Sequence, residues 1–309
     1  MVLITPALAA LKNGNWQTAR RWSEYLSRYA DVQVATEWDG HPADLMIALH
    51  ARRSATSIHA FAVQRRTVVV VLTGTDLYRD IRSDATAQRS LELASRLVVL
   101  QSAGIEELAP ELREKVQIIY QSAPTLKPKA PRTRSFDLLL VGHLRPEKDP
   151  MTAVRALGRL ADLKLRLLHI GDTRDESLRA QFMQAAARDQ RIRVLGALEH
   201  PVTRQLISRG RVLLLPSIME GGANVIIEAV TSGTAVLASR ISGSIGMLGD
   251  DYPGYFPVGD DAALAALITR CVGDSSFMNR LRDACLRRAP LFAPATESAA
   301  VVRLLELVR

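Results

Sequence analysis

The chain has 309 residues, 48% of them hydrophobic and 23% charged, with a formal net charge of +8. That length suits two domains of ordinary size, and the composition builds full cores and excludes a disordered chain. No apolar run reaches the roughly eighteen residues of a membrane-spanning helix, so stable membrane insertion is not expected. The arginines are scattered over predicted helices with few aromatic residues between them. The positive balance therefore points to a small anionic ligand and away from nucleic acid.

The opening MVLITPALAALKNGNW carries no basic leader and reads as a first buried strand. Further short runs rich in valine, isoleucine and leucine follow: VQVATEW, DLMIALHA, TVVVVLTG, LVVLQSAG and VQIIYQSA. They are too short and too uniformly apolar for two-faced antiparallel strands, and predict the core of a parallel sheet covered by helices on both sides. One crossover helix is expected over 87–97. PTLKPKAPRTRS then holds three prolines and four basic residues in twelve positions, the best linker in the chain.

The second half repeats the architecture without repeating the sequence. Its apolar runs are FDLLLVGHL, LKLRLLHIG, RIRVLGAL, RVLLLPS and TAVLAS, with helical spacing over 151–160, 176–187 and 261–272. ATESAAVVRLLELVR reads as an amphipathic terminal helix. The expected fold class is α/β, with two Rossmann-like doubly wound domains facing a central cleft. The expected boundaries are 1–125 for the first domain, 126–136 for the linker and 137–290 for the second domain. The terminal stretch 291–309 is expected to pack back on the first domain. Cys271 and Cys285 are isolated and lack metal-ligand spacing, which fits a reducing compartment, most simply the cytoplasm.

The chemistry gathers in loops at predicted strand ends. In PSIMEGGANVIIEAV, Gly221 and Gly222 allow a ligand close to the backbone, and Asn224 is the expected N-cap of a helix starting at Val225. The free amides of that first turn, from Gly222 through Ala223 and Asn224, suit a phosphate or diphosphate. Glu228 is expected on the first turn, where a carboxylate accepts from a pair of neighbouring hydroxyls; Glu220, before the glycines, could hold a sugar hydroxyl. Taken alone, the pair reads as a solvated loop charge and a capping charge. In VGHLRPEKDP, Arg145 and Lys148 can place two cations on one diphosphate. HIGDTRDE puts Gly171 at another strand exit, and LGALEHPV puts Leu198 at a third, where a base could stack.

In the first half, Gly14 is expected in a loop that brings amides to the cleft, with Asn13 and Asn15 as polar contacts or as an ordinary surface turn. His50 ends DLMIALH, where it orients or deprotonates an acceptor, or else is an edge-of-core imidazole. Arg52 and Arg53 follow it and match the oxygens of a phosphorylated acceptor. Thr73, Gly74, Thr75 and Asp76 present hydroxyls, amides and a carboxylate, or cap the following segment. Gln121 and Ser122 are weaker. The other histidines read as turn, helix, core or loop-flanking residues, and no set has metal-site spacing, so no metal and no cofactor is expected.

The set from VGHLRPEKDP through HIG, RVLGALEH and LLLPSIMEGGANVIIEAVTSGTAVLAS resembles the donor-binding half of glycosyltransferase family 4, over most of residues 137–240. The resemblance implies the two-Rossmann GT-B fold and metal-independent use of a nucleotide-diphosphate sugar. It implies Arg145 and Lys148 at the diphosphate, Glu228 at the ribose, Glu220 at the donor sugar, and Gly171 and Leu198 near the nucleotide. Gly222 and Ala223 depart from the phenylalanine–glycine pair that many relatives carry. NGNWQTARRW, EWDG, ALHARRS and TGTDLYRDI add a resemblance, over nearly the whole chain, to the selenosugar synthases of selenoneine biosynthesis. That resemblance implies transfer of the sugar of UDP-glucose or UDP-N-acetylglucosamine to selenophosphate, releasing UDP and phosphate. The open alternatives are a family 4 transferase with a hydroxyl acceptor and a non-catalytic sugar-nucleotide-binding protein. Preferred sugar, stereochemical outcome and oligomeric state are not readable from the chain.

Overall fold

The computed structural model describes residues 1–6, 14–130, 135–161, 163–173 and 175–308. Asn13, expected among the acceptor contacts, lies outside the described residues. The chain divides into two compact units, one of residues 1–122 with 294–309 and one of residues 123–293.

In the first unit, strands β1 (Val2–Ile4), β2 (Gln33–Ala35), β3 (Leu45–Leu49), β4 (Thr67–Leu72), β5 (Arg96–Val99) and β6 (Val116–Ile118) form one parallel sheet in the order β2-β1-β3-β4-β5-β6. The unbroken apolar sequence of β3 follows from burial on both faces. Met46 and Ala48 face one cluster with Ile58, Phe61 and Leu91. Leu45, Ile47 and Leu49 face the other with Trp22, Leu26, Val301 and Leu304. Alternation of side chains across a strand sends neighbours to opposite layers. Val301, Leu304 and a third member of the second cluster, Leu305, belong to the helix Pro294–Glu306, so the end of the chain completes the core of its beginning.

The fixing contact of that helix is polar. Glu297 is fully buried and accepts from Trp22 Nε1 at 2.9 Å, Arg21 Nε at 3.0 Å, and the Ser122 amide and hydroxyl at 2.9 and 2.5 Å. Residues 123–130 have no regular secondary structure, yet they are tied to the second unit. The Leu126 amide donates to Thr231 O and the Lys129 amide to Ser208 O.

The second unit has strands β7 (Phe136–Val141), β8 (Leu165–Ile170), β9 (Ile192–Val194), β10 (Val212–Leu215), β11 (Ala235–Ser239) and β12 (Tyr255–Phe256), all parallel, in the order β12-β11-β10-β7-β8-β9. Sequence order reverses between β7 and β10. The carboxyl ends of those strands are the topological switch point, where open α/β sheets bind ligands.

Two sequence expectations are corrected, and one strand is added. The helix expected over 87–97 is Ala85–Leu93, started by Asp84, whose side chain accepts from the Thr86 and Ala87 amides. Leu97 belongs to β5, because its pairing with both β4 and β6 outweighs the local helix preference of the run. Gly14 is not in a loop; it is the first residue of the helix Gly14–Leu26, and Asn15 is the second. β12 has no counterpart in the apolar pattern, since two residues at a sheet edge leave no period to detect.

Candidate functional site

At the switch point of the second unit, β7 leads into a tight turn, Pro146–Lys148, that carries Arg145 and Lys148. Asp149 closes it in the left-handed region (φ 37°) and caps the helix Pro150–Gly158 by accepting from the Thr152 amide. The exit loop of β10 is strung to the same turn, for the Ile218 amide donates to Glu147 O at 2.9 Å. This joint brings Lys148 and Glu220, 72 residues apart, into direct ion-pair contact. Ser217 Oγ donates to the same Glu220 oxygen at 2.7 Å. Glu220 is only 8% exposed, so its charge relies on these two donors. Arg145 is freer: its nearest carboxylate, on Glu147, is 3.9 Å away. A small pocket of about 20 Å³ lies at this point, lined by Gly142, His143, Lys148, His169, Pro216 and Ser217 among others.

Two glycines hold this geometry, Gly171 of the HIG segment and Gly243, which no sequence motif marks. A Cβ on Gly171 would stand 2.0 Å from the carbonyl oxygen of Gly142, so only glycine lets the exits of β7 and β8 touch. A Cβ on Gly243 would stand 1.9 Å from the carbonyl oxygen of Glu220. Gly243 belongs to the short helix Ser242–Leu248, which backs the Glu220 loop from beyond β11. Gly243→Ala is expected to displace Glu220 and weaken sugar-nucleotide binding at least tenfold while the unit still folds. Calorimetric titration and circular dichroism check it, and unchanged affinity would overturn it.

The helix after the glycine pair runs Asn224–Val230. Its N-cap is Ala223, not Asn224, with extended geometry and no side-chain cap. Of the first-turn amides, that of Ile226 donates to Ala223 O at 2.9 Å, and no side chain caps those of Asn224 and Val225. Glu228 lies on the second turn, not the first. It is close to His200, whose Nε2 is 2.7 Å from Glu228 Oε1. His200 begins the helix His200–Ile207, which follows β9 by way of half-buried Leu198. The Gly171 amide donates to Gly196 O at 2.9 Å, so the exits of β8 and β9 are also joined.

In the first unit, His50 follows β3 with φ 76°, a conformation that costs a non-glycine residue energy and must be held by its surroundings. The Arg53 amide donates to Nδ1 at 3.3 Å, so the hydrogen sits on Nε2, 3.2 Å from Thr75 Oγ1. Asp76, expected to contact an acceptor, is instead fully enclosed. Its carboxylate accepts from the amides of Ala51, Thr73 and Gly74 at 2.8–3.0 Å and thereby shapes the loop that carries Thr73, Gly74 and Thr75. Arg52 pairs with Asp84 at 3.0 Å and Asp80 at 3.6 Å, while Arg53 is exposed. The spacing of these residues gave no sign of Asp80, which is 4% exposed and 4.0 Å from His50 Nε2.

Burial lowers the His50 pKa below its usual 6.5, against the opposing charge of Asp76, and burial also lowers that of His169. The unfolded chain therefore takes up these protons first as pH falls. The stability the neutral imidazoles contribute is complete above pH 6.5 and is lost below it, through the folded-state values. The urea midpoint is expected to fall between about pH 7 and 5, with a shallower slope in His169→Gln. Equal slopes would exclude the effect.

Among the described residues, no group of three or more histidine, cysteine or acidic side chains could hold a metal ion, and no helix is long and apolar enough to cross a membrane.

Two Rossmann-like units with parallel sheets in these orders define a GT-B protein. The likeness to solved structures of that fold runs over the whole chain. Anabaena HepE in complex with UDP and glucose matches with a TM-score of 0.76 at 17% identity, covering 99% of each chain. Sucrose-phosphate synthase from Thermosynechococcus elongatus matches with a TM-score of 0.75 at 16% identity, covering 99% of this chain and 97% of the other. In sequence, residues 135–274 match the family described as glycosyl transferases group 1. Glycogen synthase of Mycobacterium tuberculosis is 34% identical over 122 residues, covering 37% of this chain and 28% of that enzyme. The chain thus spans less than a third of the length of that relative, and the kinship lies in a single shared segment.

Proposed function

We propose that the chain is a glycosyltransferase that takes the sugar of a UDP-sugar and transfers it to selenophosphate, forming a 1-seleno-sugar. One observation carries the donor half of this reading. At the switch point of the second unit, Lys148 meets Glu220 beside Arg145, and a helix start without a side-chain cap follows at Ala223. Arg145, Lys148 and the amides from Gly222 onward offset the charge that develops on departing UDP. Glu220 accepts from a sugar hydroxyl, Glu228 from the ribose, and Gly171, Leu198 and Gly221 border the nucleotide. The UDP complexes of HepE, which share the fold, support UDP as the nucleotide.

On the acceptor side, His50, Arg53 and the Thr73–Thr75 loop are the residues assigned, with Arg52 reaching the anion by releasing Asp80 or Asp84. Gly14 keeps its proposed role toward the donor and Asn15 its proposed role toward the acceptor, and Asn13, also proposed for the acceptor, lies outside the described residues. Selenium attacks C1, the C1–oxygen bond breaks, and its electron pair leaves on UDP. Water then cleaves the phosphorus–selenium bond, releasing phosphate. A neutral His50 with its hydrogen on Nε2 donates to the acceptor and orients it, and the selenium nucleophile needs no base. The resemblance over EWDG, ALHARRS and TGTDLYRDI supports this acceptor. The identity with glycogen synthase over 122 residues favours a second reading, transfer to a sugar hydroxyl.

Mass spectrometry of products separates the readings. The purified chain is incubated with UDP-glucose or UDP-N-acetylglucosamine and freshly made selenophosphate, without added metal. A selenium-bearing hexose together with UDP is expected. Intact donor despite UDP binding would overturn the selenophosphate acceptor and direct attention to hydroxyl acceptors.

A further inference from the structure

We propose that His200 is a positioning residue that holds the Glu228 carboxylate for the ribose of the bound nucleotide. The inference rests on the reading of the second unit as a donor site. A carboxylate only accepts hydrogen bonds, so at 2.7 Å the His200 Nε2 carries the hydrogen and donates it to Glu228 Oε1. Oε2 has no hydrogen-bond partner among the described residues, and the Glu228 side chain is 12% exposed. One oxygen is therefore fixed by the protein, and the other is held at the surface, where it can accept from a hydroxyl pair.

The two partners are mounted rigidly. His200 is the first residue of its helix and is followed by Pro201, which fixes the backbone at the helix start. Glu228 stands on the second turn of the facing helix. Arg204, one turn further along the His200 helix, is buried and committed elsewhere. It donates to Pro124 O at 2.7 Å and Thr231 Oγ1 at 3.1 Å, and so contributes positive field at Glu228 without touching it. Direct orientation of the carboxylate falls to His200. A glutamate without this anchor samples several rotamers, and the cost of selecting one is then drawn from nucleotide affinity.

The test compares UDP with 2′,3′-dideoxyuridine 5′-diphosphate by calorimetric titration of the full chain. The proteins are wild type, His200→Ala, His200→Gln and Glu228→Gln. The wild type is expected to prefer UDP by about tenfold, the value of a hydrogen-bonded pair to a charged group. His200→Ala is expected to lose most of that preference while binding the dideoxy nucleotide unchanged. His200→Gln, which keeps a donor, is expected to retain it in part. The His200 side chain is 54% exposed, so these variants are expected to fold, and circular dichroism checks that they do. A preserved preference in His200→Ala alongside its loss in Glu228→Gln overturns the inference. Equal binding of both nucleotides by wild type also overturns it, while leaving the donor reading intact. Failure of wild type to bind UDP removes the donor reading and this inference together.

Discussion

Lys148→Ala is expected to lower kcat for UDP-sugar turnover by about 10²–10³-fold, the loss that follows removal of one preorganised group from developing negative charge. Lys148 sits on a tight turn that Asp149 and the Ile218–Glu147 hydrogen bond hold in place, so its ammonium is positioned before the substrate arrives. The substitution has a second consequence, because it leaves Glu220 nearly buried with Ser217 as its remaining donor. The double variant Lys148→Ala with Glu220→Gln separates the two effects. If stranded charge causes the loss, the double variant recovers the folding stability and the activity that the single one lacks. If lost charge stabilisation of UDP causes it, stability returns and kcat does not. A Lys148→Ala enzyme with unchanged kcat and a raised KM would confine the residue to ground-state binding.

The largest effect on stability is expected at Glu297. Removing one partner of a buried, charged network costs about 3–5 kcal/mol, because the groups left behind lose their acceptor while remaining enclosed. In Glu297→Ala the Trp22 indole, the Ser122 amide and hydroxyl, and the Arg21 guanidinium all lose it together. The terminal helix would then be held by apolar packing, chiefly of Val301, Leu304 and Leu305. Thermal unfolding should show a fall in Tm of roughly 10 °C or more. Glu297→Gln keeps the volume and one acceptor oxygen and should fall between the two. A Glu297→Ala protein within about 1 kcal/mol of wild type would mean that water reaches the site and replaces the carboxylate.

By itself the sequence determined the doubly wound class of both halves. The runs LMIAL, VVVVL and LLLV are apolar at consecutive positions, as a short strand buried on both faces requires. It also placed Arg145, Lys148, Gly171, Leu198 and Glu220 on loops at strand ends, and Glu228 on the helix that follows one of them, because polar and glycine-rich stretches directly follow those runs. Helix limits were less legible. Local preference extended one helix to Leu97, and strand pairing claimed that residue for β5.

What the tertiary structure alone decided is which loop residues meet. Lys148 and Glu220 lie 72 positions apart, His200 and Glu228 28, and Gly243 presses on the Glu220 loop from beyond another strand. No period or spacing encodes such pairs. They arise from the order in which strands enter the sheet, which sequence periodicity does not carry. The same holds for Asp76 and Glu297. Each reads in the chain as an ordinary acidic residue near a helix start, and each is enclosed because the backbone amides and side-chain donors of distant segments converge on it.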